Sequence, residues 1–188
     1  MEGANDHGHV EGGNKKIALL VAILAACLAI SETGGKSSQT HALAEHIDAS
    51  NLWSFFQAKT IRQTTMRTAA DAIEANFKDG GQPMPDGLKK QVETWRQTAQ
   101  RYETEPATGE GRKELAAKAK VKEEARAKAM SAYHMFEYGS AALQLAIVLA
   151  GAAALTNVMA LALVSGGLGA LGLVFGALGF FAPTLFHL

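Results

Sequence analysis

The sequence predicts an all-α membrane protein with three transmembrane helices plus an extramembrane antiparallel helical hairpin of the coiled-coil type. Three observations predict it. No Asp, Glu, Lys or Arg occurs from Ser140 to Leu188, a length that accommodates two spans of about 17–25 residues each. A further apolar run, Ile17 to Ile30, follows Lys15 and Lys16 near the start of the chain. Between these ends, Lys36 to Lys128 holds 16 of the 18 Lys and Arg, which marks one water-exposed region. The reading divides the chain into a disordered tail (1–14), a first span (15–33), a helical coiled-coil domain (34–132), a second span (133–157) and a third (158–188).

Composition excludes several function classes. A formal net charge of zero argues against a nucleic-acid partner, since neutralising phosphates takes a clear excess of Lys and Arg. The single cysteine, Cys27, excludes an intrachain disulfide and a cysteine-rich metal site. His7 and His9 stand two apart in the tail, with no carboxylate or thiol at a spacing that would complete a metal site. No metal or cofactor is expected.

Taken in order, Met1 to Gly13 offers little to bury and reads as disordered. The run Ile17–Ile30 reads as a signal anchor, the first of three spans. Leu24-Ala25-Ala26-Cys27 also fits a lipoprotein signal, whose cleavage would leave Cys27 lipidated. The apolar run continues past Cys27 through Leu28, Ala29 and Ile30, which favours the span. Small residues recur at intervals of four and three in all three spans: Ala18, Ala22, Ala25 and Ala29; Gly139, Ala142, Ala146, Ala150 and Ala153; and Ser165, Gly169, Gly172, Gly176 and Gly179. Such seams let helices approach closely in lipid, where no hydrophobic drive acts between them. They suit either a three-helix bundle within one subunit or, for the third span, contacts between copies around an axis.

Thr33-Gly34-Gly35-Lys36-Ser37-Ser38 reads as a breaker-rich joint. Gly35-Lys36-Ser37 ends like a phosphate-binding loop, yet Ile30 occupies the position of the required first glycine and no strand precedes it. From Gln39 to Phe77 the chain lacks Pro and Gly. Leu52, Phe56, Lys59, Gln63, Met66, Ala70, Ile73 and Phe77 there alternate by four and three, as in a coiled coil. The Gly- and Pro-rich run Asp79–Gly87 is a turn, after which Leu88, Val92, Trp95, Ala99 and Tyr102 supply the matching stripe of an antiparallel partner. A second break, Glu105–Gly111, precedes a helix from about Arg112. Its apolar residues Leu115, Val121, Ala125 and Met130 suit docking at the base of the hairpin or an unbroken run into the second span.

Tyr133, Phe136 and Tyr138 mark a water–lipid boundary, with His134 and Glu137 anchoring it. Gln144, a turn inside the second span, and Asn157, at the turn between the last two, are the candidate pore-lining residues. Two Lys before the first span oppose five cations from Lys118 to Lys128 before the second. This balance favours a cytoplasmic helical domain.

The run Asn51-Leu52-Trp53-Ser54-Phe55-Phe56-Gln57-Ala58-Lys59-Thr60-Ile61-Arg62-Gln63 resembles the signature region of a bacterial membrane family, the domain of unknown function 4337. The order of parts around it does too: a span, a helical domain, then a helix entering two closing spans. The resemblance implies membership, a multi-pass protein of the bacterial inner membrane, and no known reaction. Physically, Lys59 and Gln63 fall on the packed stripe, where polar residues commonly fix register or oligomer state. With Asn51, Trp53, Gln57 and Arg62 they could instead form a site for an anionic ligand or a protein partner.

No catalytic constellation emerges. His41, Glu45 and His46 match neither zinc-protease helical spacing, and no serine sits in a nucleophile turn. Two classes of function remain: a homo-oligomeric scaffold in the lipid bilayer, or an oligomeric channel or transport component. The near absence of ionisable groups in the spans favours the scaffold.

Overall fold

The computed structural model describes residues 7–81 and 83–185. Four helices make up its regular structure: α1 (His7–Asp79), α2 (Asp86–Glu103), α3 (Arg112–Thr156) and α4 (Met159–Phe181). Among the described residues there is no strand. Three of the four, all but α2, contain stretches long and apolar enough to cross a membrane. Contacts divide the chain into two compact units, one formed from its ends, up to Leu43 and from Arg126, the other from Ala44–Ala125.

α1 absorbs two stretches that the sequence reading placed outside helices. Residues 7–13 of the expected tail are helical, and residues 1–6 lie outside the described residues. The expected joint at Thr33–Ser38 is uninterrupted helix. Its glycines serve space rather than a break: a Cβ on Gly34 would lie 2.8 Å from the Phe136 ring, and one on Gly35 3.3 Å from Phe136 Cβ. Only a residue without a side chain lets that ring lie against the backbone.

In the unit built from the chain ends, α3 turns its small residues inward. Ala142, Ala146, Ala150 and Ala153 are buried, as is Gly139. α4 meets them with its own seam. A Cβ on Gly139 would sit 2.9 Å from Gly172 O and 3.1 Å from Gly176 N, so these two backbones touch. The other seam residues are equally committed. Gly169 faces Leu24, Gly179 faces Phe136, and buried Ser165 donates to Ala146 O at 2.7 Å. The third-span seam therefore packs against α1 and α3 of its own chain. On α1 the opposite holds: Ala18, Ala22, Ala25 and Ala29 are all exposed. Between α3 and α4 the chain reverses at Asn157, whose φ of 55° falls in the left-handed region that asparagine tolerates better than most residues.

In the central unit α1 runs antiparallel to two successive partners. Its later part faces α2, with Arg96 of α2 bonded to Asp71 and Glu74 at 2.8 and 2.6 Å. Its earlier part faces α3, with Lys122 3.0 Å from both Glu45 and Asp48. The third helix thus continues the hairpin's second strand instead of docking at its base. Every residue of the α1 stripe from Leu52 to Phe77 is buried or half-buried, and so is the α2 stripe from Leu88 to Tyr102. The α3 stripe is displaced. Leu115 and Ala119 are buried, whereas Val121 is 62% exposed; past Arg126, in the unit built from the chain ends, Ala129 and Ala132 are buried and Met130 is 36% exposed. Alanine allows close helix approach at these positions, while Val121 and Met130 are turned outward.

Candidate functional site

The handover from α2 to α3 along α1 concentrates the polar chemistry of the central unit. An eight-residue break, 104–111, spans it, and glycine geometry shapes that break. Gly109 has φ 65°, and a Cβ on Gly111 would overlap the Glu114 carboxylate, the Glu105 amide nitrogen and Thr104 Cα. The tight turn Gly109 N–H to Glu105 O, 2.8 Å, and Lys118 donating to Gly109 O, 2.7 Å, hold the loop against the helices. Thr104 donates to Glu114 at 2.6 Å, and that contact leads the forces holding the Glu114 carboxyl below its ordinary range.

Two candidate site residues of α1, Lys59 and Gln63, point into this junction. Gln63, 2% exposed, donates from Nε2 to Ala99 O and Glu103 Oε2, each at 2.9 Å. Its Oε1 accepts from Arg112 Nη1 at 2.5 Å, and Arg112 also donates to Glu103 at 2.9 Å and to Thr60 Oγ1 at 2.8 Å. The Gln63 amide first, then the Arg112 charge, hold the Glu103 carboxyl below the ordinary carboxylate range against the opposing effect of partial burial. Lys59, 5% exposed, lies 3.4 Å from Glu105 and 3.7 Å from Glu110. The rings of Phe55 and Tyr102 flank its ammonium at 5.1 and 5.7 Å, and Phe56 lies 4.9 Å from the Arg112 guanidinium. Cations over ring faces gain from the ring quadrupole, most when water is excluded.

Thr60, Phe55 and Phe56 of the run join this cluster too, whereas the other four candidate site residues, Asn51, Trp53, Gln57 and Arg62, do not. Trp53 donates from Nε1 to Glu123 at 2.8 Å on the α3 side. Asn51 lines an open groove of about 580 Å³ with Asp48, Leu52, Phe55, Lys118, Val121 and Lys122. Gln57 and Arg62 are each exposed, on different sides of α1. Sequence reasoning missed Arg112, Glu103, Glu105 and Glu110 as members, because helical spacing says nothing about which loop folds onto a stripe. The two unexplained polar residues on the stripe were the only signal.

At the membrane unit, Gln144 donates from Nε2 to Glu32 Oε1 at 3.2 Å. Ser31, 3% exposed, donates to Phe136 O and accepts from Ser140, both at 3.1 Å. Asn157 is exposed at the α3–α4 turn, thirteen positions from Gln144 along the chain. The two candidate pore residues are therefore not brought together in one subunit. Glu32 was also missed, being at the edge of the first apolar run.

The family described as Domain of unknown function (DUF4337) matches residues 13–182. The chain belongs to the DUF4337 family. Neither the curated proteins nor the solved structures offer a significant match. In this DUF4337 chain the signature run thus divides its residues between an interior polar knot, a groove and exposed positions. The knot is chemically closed: each donor named here has an acceptor, and no nucleophile stands beside a base. Among the described residues, no group of three or more His, Cys, Asp and Glu is placed to hold a metal.

Proposed function

We propose that this protein is a membrane-anchored helical scaffold that assembles with copies of itself and presents its central unit to a protein partner. The observation that carries the reading is the closure of the knot. Lys59, Gln63 and Arg112 are engaged by Glu105, Glu110 and Glu103, so the interior cations serve to lock helix register rather than to receive an anion. Buried polar groups in packed helices are best attested in that role. The surface left for recognition is the groove beside Asn51 together with the separately exposed side chains Gln57 and Arg62. The membrane is the bacterial inner membrane, and the five cations from Lys118 to Lys128 favour a cytoplasmic central unit.

Native mass spectrometry of the intact chain in nanodiscs tests assembly: a defined multiple of the subunit mass is expected, and a single subunit refutes it. Sidedness is read by an impermeant maleimide on Gln57→Cys in a Cys27→Ser background, with labelling expected only in inverted vesicles. A second reading, an oligomeric channel or transport component, draws on the Glu32–Gln144 pair, since ionisable groups at membrane depth commonly mark pathways. Ion flux in proteoliposomes distinguishes it from the scaffold.

A further inference from the structure

The groove beside Asn51 has an apolar floor and a rim whose charges do not all find partners. It lies within the central unit, between α1 and α3, and encloses about 580 Å³, inside the range of about 300–1,000 Å³ in which protein pockets receive a ligand. Leu52, Phe55 and Val121 supply the floor, and Phe55 and Val121 stay 37% and 62% exposed. Apolar side chains left open inside a polar rim mark a contact surface. The carboxylates at the groove and the neighbouring loop are engaged. Glu45 and Asp48 share Lys122 at 3.0 Å, Glu105 and Glu110 share Lys59, and Glu114 accepts from Thr104 and the Glu105 amide. Glu123 accepts from Trp53, which stands on the opposite side of α1 from Phe55.

Two cations on this side of the unit have no carboxylate. Lys118 lines the groove and gives one N–H to a neutral acceptor, Gly109 O, at 2.7 Å; two of its three donors remain. Arg62 follows Asn51 by eleven residues and Phe55 by seven, close to whole numbers of helical turns, and so extends the groove's side of α1 by about 10 Å beyond Phe55. It is exposed and, among the described residues, bonds to nothing, as is also true of the Asn51 amide. We propose that the groove docks an acidic, apolar-anchored segment of a partner protein. A large apolar side chain sits on Leu52, Phe55 and Val121, and carboxylates to either side of it reach Lys118 and Arg62. Charge-assisted bonds of this kind are stronger than neutral ones, and the Arg62 guanidinium can grip a carboxylate with two. Asn51 offers a donor and an acceptor to the segment's backbone. A basic segment would face two unmatched cations, and a purely apolar one would bury them unpaired. Lys118 can hold Gly109 O and the incoming acid together, so docking leaves the loop contact in place. This inference rests on the partner reading above and adds the chemistry of that partner.

The test uses the full chain in nanodiscs as the target for a random-peptide display library, with binders to empty nanodiscs removed. Enriched peptides are synthesised, and Kd is measured by fluorescence anisotropy. They are expected to pair an aromatic or large aliphatic residue with Asp or Glu. Arg62→Gln and Lys118→Gln are each expected to weaken binding about tenfold, the loss of one charge-assisted pair. Arg62→Glu should lose the acidic peptide and bind the same peptide carrying Lys in place of one acid. Lys120→Gln removes an exposed cation on another side of α3 and should leave Kd unchanged. Enriched peptides without acids, or acidic peptides whose Kd neither the Arg62 nor the Lys118 variant moves, would overturn this site and leave the partner reading standing. No enrichment over empty nanodiscs would overturn both. Should Lys118→Gln disturb the loop, the Arg62 variants decide alone, because that side chain holds no contact within the fold.

Discussion

Gly139→Ala measures how tightly α3 and α4 are closed. The new methyl would lie 2.9 Å from Gly172 O and 3.1 Å from Gly176 N, about half an ångström inside ordinary contact. Both obstacles are backbone, so relief comes only by shifting one helix. Overpacking of this kind costs about 1–3 kcal/mol, and the helix-propensity gain of Ala over Gly returns about 1 kcal/mol. Gly151→Ala on the same helix is the control, because its added methyl meets nothing within 4 Å and only the propensity gain applies. The two variants should differ by about 2 kcal/mol, with Gly139→Ala the weaker. For a chain of this size that is about 4–8 °C in Tm, read by far-ultraviolet circular dichroism in one detergent. A Gly139→Ala variant melting at or above Gly151→Ala would refute the backbone contact.

Further outcomes follow from the central unit and the turn. Lys59→Met should destabilise by about 2–3 kcal/mol, less than the roughly 3–5 of a fully buried pair, since Glu105 keeps Arg101 at 3.6 Å; urea midpoints measure it, and adding Glu105→Gln should recover part of the loss. Gly111→Ala should lower stability by at least about 1–3 kcal/mol, because its methyl meets backbone of Thr104 and Glu105; an unchanged urea midpoint would contradict the loop geometry. The Glu103 and Glu114 carboxyls titrate below their ordinary 4.5 when folded. Their contribution is thus full above that value and disappears as pH falls through the lower folded values. Denaturation between pH 6 and pH 3 should show this loss, and Glu103→Gln should flatten it. Asn157→Ala should cost about 1–2 kcal/mol by placing a β-carbon-bearing residue without asparagine's local bonding in the left-handed region, read as a lower Tm.

Much of the fold was legible because periodicity reports burial directly. The stripes from Leu52 to Phe77 and from Leu88 to Tyr102 needed no tertiary information, since alternation by four and three already names a helix face. The breaks at residues 79–87 and 105–111 were legible for the same local reason. What could not be read was which neighbour a face meets. Gly34 and Gly35 looked like a break, and only Phe136, a hundred residues on, reveals why glycine stands there. The polar knot was half visible. Lys59 and Gln63 were conspicuous on an apolar stripe, but Arg112 and Glu105 looked like an ordinary helix start and loop until the chain folded. Val121 and Met130 misled because volume was taken for burial, whereas Ala119, Ala129 and Ala132 hold the buried positions near them.

The break at 104–111 interrupts only one strand of the central hairpin. α2 is joined to its neighbours by a turn at each end, while α1 passes the junction as continuous helix and α3 begins beyond it. Such a segment is suited to open as a cooperative unit of its own. Its amides should exchange with deuterium together and faster than those of α1 residues facing α3, and Gln63→Leu should hasten α2 exchange selectively. The closed polar cluster would then act as a clasp, setting how often α2 lifts from its partner without the rest of the hairpin unfolding.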